Sequence, residues 1–286
     1  MSYASGGVIA ASDYNTLVTS LNAVWNTAYG QTALSTVATG NTVTAAQWST
    51  LIGTLNKTLA HQSGTAAISL PTAGNVITYL AAVNSGVTTA NTNKLLASST
   101  GTTVVGNNFA PTPANANTTT AYSSTIATRT VTFPSAAQAA YFFNAGGKLS
   151  FSITSVTGSG TAAANDLVTL LGTDLKGVAN FGYSTNGGRT GSGGTLTSQN
   201  TALGYTTSTT ALQNIVNVAS TTANYTTDTA QIQVSVNGAV VTFALVLNQA
   251  AHTFASSWSL TVNHNITITP PETTNLANSW GTITIA

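Results

Sequence analysis

Near the start of the chain, apolar residues recur at helical spacing twice, 34 residues apart. Residues 9–22 read IAASDYNTLVTSLN and residues 43–56 read VTAAQWSTLIGTLN. In the first stretch Tyr14, Leu17, Val18, Leu21 and Trp25 fall at i, i+3, i+4, i+7 and i+11. Trp48, Leu51, Ile52, Leu55 and Leu59 repeat that spacing in the second. This is the stripe of an amphipathic helix, written twice. Thr44 with Gln47 three residues on fits a capping box at the second helix start. Only two copies are visible and a solenoid needs three or more, so the pattern predicts an antiparallel helix pair over residues 1–63. Tyr14 and Trp48 sit in the apolar stripe and therefore read as packing anchors, not as stacking platforms for a sugar or base.

From residue 64 to 125 the chain is rich in Thr, Ala, Asn and Gly and weakly patterned, which reads as a connector. Within it Val76–Leu80 suits a short strand or helix. The segment Ala110–Ala114 is expected to be extended, because Pro111 and Pro113 fix their own φ and bias the residue before them away from helix.

Beyond residue 126 the period drops to two. Leu149, Phe151 and Ile153 alternate with serines and a threonine, as do Ile232, Val234 and Val236 with Gln and Ser. The clearest strand is Trp258, Leu260, Val262, His264, Ile266 and Ile268, with a polar residue at every intervening position. Asn237-Gly238 between two such runs marks a hairpin. Short helices are expected over 135–143 and 165–175, and a last strand near Trp280–Ile285. The fold class is therefore α+β, an N-terminal helix pair followed by a mainly antiparallel β-domain over 126–286, with a β-sandwich as its expected form.

Composition changes the functional picture. The 286 residues include six Lys or Arg and five Asp or Glu, 4% charged, where ordinary domains run near 25%. Catalysis needs acids, bases, nucleophiles or ligands brought together, and few are present to place. A net charge of +1 with scattered cations gives no footprint for nucleic acid. The chain has no Cys, and no run approaches the ~18 apolar residues of a membrane span, so membrane insertion is not expected. The first residues also lack the basic and apolar regions of a signal peptide. Near-zero charge leaves little electrostatic resistance to association, which points to a building block of an assembly.

The candidate chemistry is thin. Asp13, Asp166, Asp174, Asp228 and Glu272 lie far apart in sequence, and nothing positions two of them as a hydrolytic pair. Asp166 and Asp174 are eight apart, enough to share a helix face. His264 occupies the inward register of its strand and reads as a satisfied core histidine, not a metal ligand. Gly187–Gly194 lacks the Lys-Ser/Thr end of a phosphate loop and reads as a long flexible connection. No catalytic, cofactor or metal residue is assigned. The packing and assembly candidates are Tyr14, Leu17, Leu21, Trp25, Trp48, Leu51, Leu55, Tyr141, Phe142, Phe143 and Trp258.

Residues 3–17 (YASGGVIAASDYNTL), 43–48 (VTAAQW) and 134–149 (PSAAQAAYFFNAGGKL) together resemble virion structural proteins of tailed bacteriophages, particularly cyanobacterial and other aquatic phages. The resemblance covers about half of the chain and implies no catalytic residues or cofactors. This chain is less charged than is usual in that family. Independently of it, Asn144–Gly147 reads as a tight turn requiring φ > 0. The expected function is a non-enzymatic, self-associating virion component, a phage appendage or tail-associated fibre, with buried aromatics at contact centres. Its partners would be further copies of itself and other virion proteins, and its location the virion, outside the cell after host lysis. The alternatives are a receptor-binding module whose Tyr183, Tyr205 and Tyr225 meet a host surface glycan, or a capsid decoration or neck protein.

Overall fold

A computed structural model describes residues 10–65, 68–70, 80–97, 101–105 and 109–286. The chain is mixed α+β with a mainly antiparallel β part, and it divides into two compact units. The first comprises residues 1–102, 140–147 and 270–281; the second comprises 103–139, 148–269 and 282–286.

In the first unit the two sequence-predicted helices form, α1 over Ala11–Asn22 and α2 over Ala45–Ser63. The capping box of α2 is present: Gln47 N donates to Thr44 Oγ1 at 3.3 Å, and Thr44 N donates to Gln47 Oε1 at 2.8 Å. A third helix, α3 over Leu80–Thr92, arises from the stretch read as a connector and packs on both others. Residues 71–79, including most of the expected Val76–Leu80 element, and residues 3–9 of the N-terminal motif lie outside the described residues.

The helices are not an antiparallel pair. Tyr14 at the start of α1 meets Trp48 at the start of α2, with ring centres 6.0 Å apart. At the other end Gln62 donates to the hydroxyl of Tyr29, just past α1, at 3.0 Å. Like ends therefore lie together, and α1 and α2 run parallel. The reason is the segment after α1. Its backbone widens into i→i+5 bonding over Ala23–Ala28, then the chain runs back along the helix in extended form. Asn22 holds this return by exchanging two 2.9 Å bonds with the backbone of Leu34, and Asn15 does so with Val37 at 2.8 Å. One repeat later Asn56 makes the same two-bond clamp on Ile68, at 2.6 and 3.1 Å. Helix α3 follows the same sense: Gln62 donates to Ala90 O, and Asn91 to Ser20 O, so C-terminal ends again meet.

The second unit holds two antiparallel sheets. Strands are β1 Val104–Val105, β2 Ala114–Asn115, β3 Tyr122–Thr132, β4 Lys148–Gly158, β5 Gly177–Phe181, β6 Thr195–Gln199, β7 Gln213–Ala219, β8 Thr229–Asn237, β9 Val240–Gln249, β10 Trp258–Thr269 and β11 Thr284–Ile285. The five-stranded sheet runs β1-β10-β4-β5, with β2 also on β10; the six-stranded sheet runs β11-β3-β9-β8-β7-β6. Asn237-Gly238 joins β8 to β9 as expected. The Pro111–Pro113 segment is extended and offers carbonyls to β10, an edge role open to a residue without an N–H. Inward residues of both sheets meet: Phe243 of β9 lies 6.2 Å from Phe151 of β4 and 5.4 Å from Phe181 of β5, ring centre to ring centre.

The short helices are α4 Ala136–Asn144 and α5 Ala162–Thr169, the latter running on into a second i→i+5 turn over Leu170–Leu175. After α4 the Asn144–Gly147 turn has Gly146 at φ +90°. The Gly187–Gly194 segment is not a free connection. Gly187 N donates to Ala179 O, Thr190 N to Gly177 O and Gly191 N to Leu175 O, which lays the segment along β5 and the turn before it. Glycine is needed there for contact, since a Cβ on Gly191 would stand 2.3 Å from Asp174 O. No helix among the described residues is long and apolar enough to cross a membrane.

Candidate functional site

Charge is where this molecule departs most from its sequence pattern. Four of the five acids, Asp166, Asp174, Asp228 and Glu272, are buried. Lys57, Lys94 and Lys176 are exposed, and Asp13 is half-buried. A buried carboxylate costs free energy unless it is partnered, so each has a specific environment.

In the first unit Glu272 Oε1 faces His61 Nδ1 at 3.0 Å, while its Oε2 accepts Thr274 N at 2.5 Å and Asn275 N at 2.9 Å. Burial pushes Glu272 up, but those bonds outweigh it and hold the carboxyl below its ordinary value. Burial pushes His61 down against the pull of Glu272. Tyr29 stands edge-on to His61 at 5.2 Å, and burial raises its hydroxyl to about 12. This group closes the core of the helices.

In the second unit three acids from distant parts of the chain come within electrostatic reach of one another. Asp166 on α5 accepts the Ser220 hydroxyl at 2.5 Å, and Thr222 beside it also favours the charged form. Asp228 faces His252 Nε2 at 3.1 Å and accepts Ala250 N at 2.9 Å. Asp174 lies beside Arg189, which donates to the Asp174 and Gly193 carbonyls. Burial raises all three carboxyls, and the charge of Asp166 raises both Asp174 and Asp228 further. Ser, His and Asp are thus close together, but Ser220 is bonded to Asp166 and His252 to Asp228. A nucleophile–base relay needs the serine on the histidine, and here each is engaged elsewhere. Among the described residues no group of three His, Cys, Asp or Glu is placed to hold a metal ion. Spacing pointed only to Asp166 with Asp174, because Ser220 and Asp228 sit on the loop between β7 and β8 and His252 follows β9.

His264 is buried between the rings of Phe109 at 5.7 Å and Phe151 at 5.2 Å. Arg129 Nε donates to its Nε2 at 2.9 Å, and its Nδ1 lies 3.2 Å from Val262 O. That geometry requires the neutral ring with the proton on Nδ1. It is the core histidine its strand register predicts.

The packing candidates fall mostly inside. Tyr14, Leu17, Leu21, Trp48, Leu51 and Leu55 belong to the helical core, Phe142 and Phe143 are buried at 5.0 Å from one another, and Trp258 is buried. Trp25 and Tyr141 are half-buried. The buried candidates pack within the chain's own core, and Trp25 and Tyr141 keep part of their surface exposed. Of the tyrosines considered for glycan stacking, Tyr225 is buried against His252 and Phe254 and Tyr205 donates to the Ala136 and Gly238 carbonyls, while Tyr183 is half-exposed.

What remains outward on the sheets is mainly hydroxyl and amide, with Val240 and Val246 half-buried among them on the six-stranded sheet. Along β10 the outward positions are Ser259, Thr261, Asn263, Asn265, Thr267 and Thr269. On the six-stranded sheet no outward strand residue is charged. No known protein family, curated protein or solved structure matches this chain.

Proposed function

We propose that this chain is a non-enzymatic structural subunit of a tailed-phage particle that associates with copies of itself, as an appendage or tail-associated fibre of the virion. The observation that carries the reading is the separation of charge from surface: four of five acids are internal, and the outward side chains of both sheets are mainly hydroxyl and amide, with Lys148 at one end the charge they carry. Such faces approach one another without the desolvation cost of ions. The likeness of residues 3–17, 43–48 and 134–149 to virion proteins supports the setting. The scaffold we infer for the role is a β-sandwich, supported by Phe243 meeting Phe151 and Phe181 from the opposite sheet.

With few ions at the contacts, association is expected to change little between low and high salt. Sedimentation velocity over a concentration series at both salt levels tests this. A concentration-dependent shift to larger species, alike in both buffers, is the expected result. Assemblies that dissolve as salt rises would contradict the reading.

A further inference from the structure

We infer that the outer face of the six-stranded sheet is the contact surface between copies of this chain, packing against the same face of a second copy about a two-fold axis. The inference rests on the self-association proposed above and names the surface that performs it.

The cross-strand register defines the face. Thr128, Ala244, Gln233 and Asn214 lie in one row across β3, β9, β8 and β7. The next row carries Thr125, Val246 and Gln231. The alternate residues of β9, Val241, Phe243, Leu245 and Leu247, are fully buried inward, which fixes the outward assignment. Down the middle strand the outward side chains that keep partial exposure are Val240, Thr242, Val246 and Asn248, Ala244 between them being fully buried, and the strands on either side supply Thr, Ser, Gln and Asn. Two valines set among uncharged polar side chains fit the charge-depleted character of a protein–protein contact.

Two features choose a second copy as the occupant. Hydroxyls and carboxamides both donate and accept, so a face built from them is complementary to itself, which a charged face is not. Six strands at about 4.8 Å spacing and five outward positions along β9 give roughly 600 Å² of face, near the ~800 Å² per partner of a standard interface. The outer face of the five-stranded sheet differs, because it is polar throughout along β10 and carries Lys148 at its end.

The test compares Thr242→Lys and Gln233→Lys with Thr261→Lys on the other sheet, by sedimentation velocity, with melting temperature confirming the fold. Two like-charged copies of the face repel, so the first two variants should weaken association about tenfold or more while Thr261→Lys associates as the parent does. As a second readout, Val246→Cys places a single cysteine in a chain that has none. A short bis-maleimide should cross-link it to a dimer, and should not cross-link Asn263→Cys. A parent chain that stays monomeric would remove the self-association reading itself. A parent that associates while the face variants match it, or while Thr261→Lys fails equally, would overturn this inference alone.

Discussion

Four of the five acids and two of the three histidines are structural parts of an interior. His264 is the clearest case, because its Nε2 accepts from a permanent cation, Arg129. Burial pushes its pKa below the ordinary 6.5, and the nearby Arg129 charge pushes the same way. The unfolded chain then takes a proton near pH 6.5 that the folded chain refuses, so the His264 contribution to stability is lost as pH falls from 6.5 toward the folded value. Asp166, Asp174 and Asp228 act in the opposite sense. Their raised values mean that the folded state holds protons longer, so their contributions grow as pH falls and are lost as pH rises through the folded values. A single curve mixes the two, and a variant separates them. His264→Gln should be about 1–3 kcal/mol less stable than the parent at pH 8, through the disturbed Arg129 bond. That gap should narrow by pH 5, where the parent alone carries the histidine penalty. Urea midpoints for both chains across this range check it, and a constant gap would contradict the neutral-ring assignment. The inward place of His264 was readable from period two alone. The gathering of three aspartates was not, since tertiary packing set it and no spacing encodes it.

At the scale of elements, the helical stripe gave the existence of α1 and α2 but not their direction. Two helices 34 residues apart normally suggest a hairpin. The deciding residues are polar: Asn22 and Asn56, equivalent in the repeat, each pin the backbone 12 residues on and turn the chain back along its helix. A single Asn on a helix is common enough to carry no such message by itself, yet its recurrence at the same place in both copies was a signal available in the sequence. Helix α3 begins 35 residues after α2 and buries Leu80, Val83, Val87 and Ala90, a thinner stripe of small residues that hid it in a Thr- and Ala-rich stretch. Asn22→Ala and Asn56→Ala each remove two bonds to partly buried backbone and should cost about 1–3 kcal/mol, whereas Asn41→Ala at an exposed turn should cost nearly nothing. Chemical denaturation distinguishes them. Equal, negligible effects at all three sites would mean the clamps do not hold the return segments. The strands fared better, because alternation with a clean turn signal at Asn237-Gly238 fixes register as well as type.

For the whole molecule, composition alone suggested association, and the structure moves the argument from how few charges there are to where they lie. Among the described residues the exposed charges are three lysines, and both sheets turn outward surfaces that water solvates through hydroxyls and amides. Most of the aromatic residues that the sequence offered as contact centres lie in the cores, Trp25 and Tyr141 being half-buried. The surface left for a neighbour is therefore backed by a rigid sheet, and its outward residues were legible only once register assigned each residue to a face. The central claim is that this chain is a subunit that builds something larger from itself. Negative-stain electron microscopy of the purified protein, with its native mass taken on the same sample, tests that most directly. Regular rods, rings or filaments and a mass at a multiple of the 28.8 kDa chain are the predicted result. A field of single particles with the mass of one chain, at concentrations where weak contacts form, would contradict it.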